Sequence, residues 1–248
     1  MDKHQKLGSQ TAKKGFQNEK DIADKFNNWL TDTEARLWLE LMEYDLNEIE
    51  FVKAEILSGY KTDVQVQITI KLKKVIDVEN LQVKLVSNLK GFNQIDKRWI
   101  DTYTDFWNIP ENIINLLKQY TGEVLPTIPN PKNKRRTFAN EFSTKEQSDL
   151  IDWLTRNKTL IVSDILKGRG KFSAEWMLVA QKVEGDSRWT LQPMNYCLNF
   201  FIQGNVEITP RGNFRIGKIT MQRKGGDGGR KTAQMLQFKI NPAELFND

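Results

Sequence analysis

Residues 62–70, Thr62-Asp63-Val64-Gln65-Val66-Gln67-Ile68-Thr69-Ile70, decide how the chain is read. Val64, Val66, Ile68 and Ile70 alternate with Gln65, Gln67 and Thr69, the two-residue period of a half-buried strand. Asp63 has the parity of the polar set, so it faces away from the core. After eighteen intervening residues comes Gln82-Val83-Lys84, inside a second alternating run. There Leu81, Val83 and Leu85 share one face, and Gln82 and Lys84 share the other. A turn at Lys71-Leu72-Lys73-Lys74 closes the two runs into an antiparallel hairpin. That register pairs Ile70 with Val75 and carries Asp63 to Gln82. Apolar parity changes near Glu79-Asn80, since Ile76 and Val78 are even-numbered and Leu81 and Val83 odd, which predicts a bulge there.

The Asp63 carboxylate and the Gln82 amide oxygen are both donors for one divalent cation. A lysine on the same face can then orient or activate a water beside a phosphate and stabilise the charge that develops. The same residues also fit an ordinary hairpin with a polar face, and spacing alone leaves both readings open.

Elimination narrows the chemistry. His4 is the only histidine and lies near the N-terminus. That argues against a Ser-His-Asp triad, a Cys-His pair and a histidine-ligated zinc site. Hydrolysis must then use carboxylates, amides, lysines and a hard cation such as Mg²⁺. Cys197, the single cysteine, excludes an intramolecular disulfide and reads as a buried structural thiol in an apolar run. No stretch of about 18 apolar residues predicts a membrane span. The first residues, MDKHQKLGSQTAKKGF, lack the apolar centre of a secretory signal.

The chain is 248 residues long, with 39% hydrophobic residues and seven tryptophans, enough for one large core or two small ones. Its net charge of +5 is unevenly placed. Residues 205–240 hold eight lysines and arginines against two acids, a local excess of six. Such a concentration suits a polyanion such as nucleic acid, although a solvated lysine-rich surface gives the same count.

Periodicity predicts a helix over 14–30, with Ile22, Ala23, Phe26, Trp29 and Leu30 as its apolar stripe. Glu19 lies beside that stripe, where it either supports a metal or holds a buried partner. A second helix covers 33–46, and strands cover 51–57, 63–70 and 75–86. A polar segment follows and leads into a helix carrying Ile95, Trp99, Ile100 and Tyr103. Pro110 opens a helix over 111–120, and a proline-rich loop spans 121–136, whose Lys132, Lys134, Arg135 and Arg136 leave it open to DNA-backbone contact. Ser143-x-x-Glu146 is a capping box for a helix reaching Asn157. Strands are expected over 174–183, 206–209 and 214–222, the last two around the turn Pro210-Arg211-Gly212-Asn213. This order predicts an α/β fold with the Asp63, Gln82 and Lys84 face in the middle of a mixed sheet. The core covers about 14–185, and a basic, β-rich C-terminal lobe covers about 186–248 around the same cleft.

Two further segments bear on partners. Gly225-Gly226-Asp227-Gly228-Gly229-Arg230-Lys231-Thr232 fails as a phosphate loop, because Arg230 stands where glycine must precede Lys-Thr. A basic glycine loop beside DNA phosphates and a plain connector both fit it. In Gly91-Phe92-Asn93-Gln94 the two amides can read base edges. Phe92 either wedges between base steps or returns to the core.

Over nearly its full length the chain resembles the HinP-type, GCGC-cutting type II restriction endonucleases and, more distantly, the MspI type. Both belong to the PD-(D/E)XK nuclease superfamily. The resemblance is carried by GFQNEKDIADKF (15–26), LSGYKTD (57–63), QVKLVSN (82–88), GFNQIDKRW (91–99), AEWMLVAQKV (174–183) and QRKGGDGGRKTAQMLQFKINPAELF (222–246). It implies a PD-(D/E)XK core with a mixed central sheet flanked by helices. It also implies a Mg²⁺-dependent endonuclease acting on double-stranded DNA and leaving 5′-phosphate ends, in a bacterial cytoplasm as part of restriction–modification. Asp63 matches the family's metal-binding aspartate, Gln82 the glutamine that replaces the superfamily's usual glutamate, and Lys84 the catalytic lysine. Thr62 stands where the family has serine and keeps the hydroxyl. For DNA binding the matched segments offer Phe92, Asn93, Gln94, Lys97, Arg211, Gln222, Arg223 and Lys224. A repair nuclease of the same superfamily and a non-catalytic DNA-binding protein are the rival readings. The active unit is a monomer or a homodimer, and no membrane partner is expected.

Overall fold

A computed structural model describes the backbone of residues 3–57, 66–73 and 75–246, and the side chains of these from residue 13 on, apart from 227. Thr62, Asp63 and the predicted strand's first residues therefore lie outside the described residues. In chain order the elements are α1 (Lys3–Asn27), α2 (Thr33–Leu41), β1 (Ile49–Ile56), β2 (Val66–Leu72) and β3 (Ile76–Val86). Next come β4 (Asn93–Arg98), α3 (Ile100–Trp107), α4 (Glu111–Thr121), α5 (Thr144–Arg156), α6 (Lys158–Lys167) and β5 (Trp176–Val183). The last are β6 (Asp186–Pro193), α7 (Met194–Phe201), β7 (Val206–Ile208), β8 (Phe214–Ile216), β9 (Ile219–Arg223) and β10 (Leu236–Ile240).

The chain forms two compact units whose sequences interleave. One comprises Met1–Asn93, Lys167–Cys197 and Asn241–Asp248; the other comprises Gln94–Leu166 and Leu198–Ile240. The expected boundary near 185 does not coincide with this division, because the chain crosses between units more than once.

The first unit is built on a sheet in the order β1-β2-β3-β5-β6. β3 is central and runs parallel to β5, while every other pair is antiparallel, so the sheet is mixed as expected. One face of the sheet is apolar. Val66, Ile68, Ile70, Leu81, Val83 and Leu178 pack there with Ile22, Phe26, Trp29, Trp38 and Leu39 of the helical segment. Helix α1 is tied to β5 of the sheet by Lys182, whose Nζ lies 2.7 Å from the Asp21 carboxylate. Burial works against the Asp21 charge, but Lys182 and Gln17 more than offset it and hold its pKa below the ordinary value. Leu30 does not join the stripe and is 68% exposed, because α1 ends at Asn27. Helix α2 is capped by Asp32, whose side chain accepts from the Ala35 amide at 2.9 Å. It stops at Leu41 rather than 46 because Glu43 takes a left-handed conformation, φ 68°.

Strand β3 corrects the predicted bulge. Its pairing with β2 is regular from Val66↔Leu81 to Lys71↔Ile76. Parity changes because Ile76 and Val78 are about half exposed on the face that Gln82 shares, whereas Leu81 and Val83 belong to the core. The register also differs: Ile70 faces Asp77 instead of Val75. A two-residue slide keeps each side chain on its predicted face.

The second unit holds the sheet β4-β10-β9-β8-β7. Leu236, Phe238, Ile240, Met221, Ile219, Phe214 and Ile216 are fully buried along it. Residues 93–98 are a strand, where sequence predicted a polar segment running into a helix. Both faces of β4 are covered: Ile95, Asp96 and Arg98 are all buried, so no alternation marks it. Strand β10 hides in the same way, with Gln237 buried among apolar neighbours. The expected strand 214–222 is two strands folded about Gly217, φ 59°.

Helix α5 starts as predicted: Ser143 Oγ accepts from the Glu146 amide at 3.3 Å, and the Glu146 carboxylate accepts from the Ser143 amide at 2.8 Å. Helix α4 ends at Gly122, φ 84°, which lets residues 135 and 136 pass close by. A Cβ there would lie 2.4 Å from the Arg135 carbonyl oxygen. Gly122→Ala is therefore expected to cost about 2–3 kcal/mol, from left-handed strain plus the forced shift of that segment. Urea unfolding checks it: an unchanged midpoint would show that the close approach is not needed.

Candidate active site

Gln82 and Lys84 leave the same face of β3, two residues apart, as the sequence predicted. The structure adds that this polar face is covered, with Gln82 2% and Lys84 5% exposed. Their parallel-register neighbours on β5, Met177 and Val179, are fully buried. The position of β3 is set by a knot of polar contacts just upstream. Asn80 donates through Nδ2 to the Lys171 and Ser173 carbonyls, each at 3.2 Å. Its Oδ1 accepts from Gln67 at 2.9 Å, and its backbone amide donates to the Glu175 carboxylate at 3.0 Å. The Glu79 carboxylate accepts from the Tyr44 hydroxyl at 2.8 Å and the Trp176 indole at 2.9 Å. Strands β2, β3 and β5 are thereby fixed directly before Gln82, which limits how far its amide can drift.

One atom stands out. Gln82 Oε1 is buried and has no hydrogen-bond partner among the described residues. A buried acceptor left unmade costs about 1–3 kcal/mol, so it signals a missing partner. An amide oxygen is a hard donor suited to Mg²⁺ or a similar cation. Among the described residues no cluster of three or more His, Cys, Asp or Glu could hold a metal. Asp63, the carboxylate that sequence assigns to the cation, is outside them. Sequence reasoning missed Gln181. It lies on β5 opposite Val86, on the Gln82 face, and its buried Oε1 also has no partner among the described residues. Its signal was a lone amide inside the apolar run AEWMLVAQKV. Glu19 is half-buried on α1, one residue after the buried Asn18.

Phe92 is 51% exposed, so it does not return to the core. Asn93 uses its Nδ2 to donate to the Leu85 carbonyl at 2.8 Å, which ties the segment after β3 to the site strand.

In the second unit the other candidates separate by environment. Lys97 and Arg211 are exposed, and Gln222, Arg223 and Lys224 are half-buried at the end of β9. Gln94 and Gln222, far apart in sequence, are joined by Gln237, which sequence reasoning did not select. Gln237 Nε2 donates to Gln94 Oε1 at 2.6 Å, and Gln222 Nε2 donates to Gln237 Oε1 at 3.4 Å. Three adjacent strands thus carry one chain of amides with a set direction. Lys239 lies on the same face of β10 as Gln237, and burial alone lowers its pKa. Among the described residues no carboxylate offsets that cost. Cys197 is buried and its thiol is pushed up to about 12 by burial, so it is an inert structural residue.

The sequence model for the R.HinP1I restriction endonuclease matches residues 42–246. Among solved structures, that of the restriction endonuclease MspI in complex with its cognate DNA aligns with a TM-score of 0.61 at 15% identity. The alignment covers 89% of this chain and 87% of MspI. At that identity the likeness is one of fold, and it bears out the expected PD-(D/E)XK architecture with a mixed central sheet flanked by helices. No curated protein sequence matched this chain.

Proposed function

The chain belongs to the R.HinP1I restriction endonuclease family, and from that premise we propose Mg²⁺-dependent cleavage of double-stranded DNA at GCGC, leaving 5′-phosphate and 3′-hydroxyl ends. The enzyme class, a type II site-specific deoxyribonuclease, follows from the family itself. The observation that carries the reading is Gln82 Oε1, buried without a hydrogen-bond partner among the described residues and two residues along β3 from the buried Lys84.

Gln82 and Asp63 would hold the cation, and the donor set fits it: one carboxylate and one amide oxygen, both hard. A divalent cation, when bound, supplies positive charge to the scissile phosphate and makes its water more acidic. Lys84 does the rest from the same face. Its ammonium can donate to a phosphate oxygen as charge builds there, or its amine can take the proton of the attacking water. Burial of that face excludes bulk water, so each charge acts in a low-dielectric setting. With glutamine instead of glutamate the site carries one negative charge fewer, which suits a weakly held ion.

Target choice falls to the second unit. Guanine offers N7 and O6 as acceptors in the major groove, and cytosine offers the N4 donor. The amide chain Gln94–Gln237–Gln222 and the cations Lys97, Arg211 and Lys224 supply the complementary groups, with Phe92 and Asn93 beside the site strand and Arg223 as a further DNA contact. MspI was solved with cognate DNA, and duplex DNA is the natural partner for this chain too.

The test is incubation with Mg²⁺ and a plasmid carrying mapped GCGC sites, an EDTA control, and sequencing of the ends. Discrete fragments ending within GCGC are expected only with Mg²⁺. Discrete cutting elsewhere keeps the nuclease and discards the target, while cutting in EDTA discards the metal.

A further inference from the structure

The second unit holds two half-buried arginines, Arg136 and Arg223, against the C-terminal end of α4. The hairpin turn Asn133–Arg136 closes through an Arg136 amide bond to the Asn133 carbonyl at 3.2 Å. The Asn133 side chain accepts from the Arg135 amide at 2.9 Å, which stiffens the turn. Its tip presents Lys134 and Arg135 to solvent and sets Arg136 half inside. The Arg136 guanidinium carbon lies over Phe138, 3.9 Å from its ring centroid, and 5.7 Å from that of Tyr120. Its Nη1 is buried with no hydrogen-bond partner among the described residues. Arg223, at the end of β9, donates through Nε to the Thr121 carbonyl at the C-terminus of α4, 2.7 Å away. That bond uses the Nε and leaves the two Nη groups outside it.

Burial dominates the electrostatics of the pair. Burial, the largest cause, pulls Arg136 below its ordinary value. Burial again comes first for Arg223, followed by the repulsion of Arg136 and Arg135. Neither guanidinium gives up its proton at any ordinary pH, so both stay charged where burial disfavours charge. Glu141 acts on Arg136, but its two carboxylate oxygens accept from the Lys132 and Phe138 amides at 2.7 and 2.8 Å.

We propose that Arg136 and Arg223, flanked by Arg135, form a subsite for one phosphodiester of the DNA backbone. The subsite grips the duplex without reading its sequence, and it rests on the reading of the chain as a DNA-cutting enzyme. Two planar forks, one pinned over an aromatic ring and one pinned by a helix-terminal carbonyl, match the tetrahedral oxygens of a phosphate and lose little freedom on binding. Neither Arg135 nor Arg136 stands in a sequence motif; the placement of their turn beside β9 makes the site.

The test is anisotropy binding in EDTA of the full chain to a GCGC duplex and to a scrambled duplex, across a salt series. Arg136→Gln is expected to weaken both about tenfold and to lower the slope of log K against log salt by about one. Arg136→Lys keeps the slope. A scan of single methylphosphonates, which neutralise one phosphate each, guards against a merely misfolded variant. One position is expected to cost the native protein about tenfold and Arg136→Gln nothing more. An unchanged slope, a loss confined to the GCGC duplex, or no such position overturns the subsite. Cutting at GCGC by the native enzyme alongside any of those results sinks the subsite alone. Binding that follows the proposal in a protein that never cuts sinks the nuclease reading instead.

Discussion

Lys84→Ala is expected to lower DNA cleavage by about 10³-fold or more while duplex affinity stays within a few-fold of the native protein. The size follows from the position of the side chain. Lys84 is 5% exposed on the Gln82 face, so nothing from bulk solvent takes its place when the ammonium is removed. Its charge and its proton act only as the phosphate gains charge, so binding in the ground state changes little. Lys84→Arg separates the two roles. A guanidinium keeps the charge but does not take a proton at neutral pH. Recovery with arginine would assign Lys84 to charge stabilisation; a dead arginine variant would assign it to proton transfer. Because the site is packed, each variant is compared at matched melting temperature. Full activity in Lys84→Ala, with the protein folded, would remove β3 from the chemistry. Gln82→Ala gives the companion result, a higher Mg²⁺ requirement, since it deletes the buried Oε1, which has no hydrogen-bond partner among the described residues.

The strand pair that carries this site was legible because its alternation is strong. Val66, Ile68 and Ile70 are all fully buried, and Leu81 and Val83 share their face, so parity alone placed Gln82 and Lys84 together. The register was two residues off because the turn residues are lysines, which specify no turn type. The predicted bulge failed for a different reason. Ile76 and Val78 are apolar and exposed, and a pattern argument assumes that apolar means buried. Strands β4 and β10 were illegible for the opposite reason, since both place polar or charged groups in the interior. Of the amide chain, Gln94 and Gln222 were selected from local motifs. Gln237 was not, because its link to both is made by strand order rather than by spacing. Arg136 was legible only as one cation of a basic loop open to DNA-backbone contact, since nothing in residues 121–136 says that the loop closes onto the neighbourhood of Arg223.

Asp164→Ala is expected to destabilise the protein by about 3 kcal/mol, the cost of taking one of two counter-charges from a buried guanidinium and a hydrogen-bond acceptor from a buried indole. Asp164 is 4% exposed on α6. Its Oδ2 accepts from Arg98 Nη1 and from the Trp107 indole, both at 2.9 Å. Arg98, 9% exposed at the end of β4, also lies 3.3 Å from the Asp96 carboxylate, which in turn accepts from the Tyr103 hydroxyl at 2.9 Å. Burial works against the Arg98 charge, yet Asp96 and Asp164 outweigh it and hold its pKa above the ordinary value. Removing Asp164 leaves Asp96 to neutralise Arg98 alone and strands the Trp107 N–H. The comparison that decides the matter is a double-mutant cycle with Arg98→Met. If the network is an isolated buried set, the double variant recovers only part of the loss, because Asp164 and Arg98 leave together while the buried Asp96 keeps the Tyr103 hydroxyl but loses its cation. A loss below about 1 kcal/mol for Asp164→Ala would mean that water reaches Arg98 and that the pair behaves as a surface one. The consequence also reaches function, since β4 carries Gln94 and Lys97 on the strand that Arg98 anchors. A destabilised Asp164→Ala protein is therefore expected to lose discrimination between GCGC and altered sites before it loses general affinity for DNA. Phosphate contacts tolerate a displaced strand better than base contacts do.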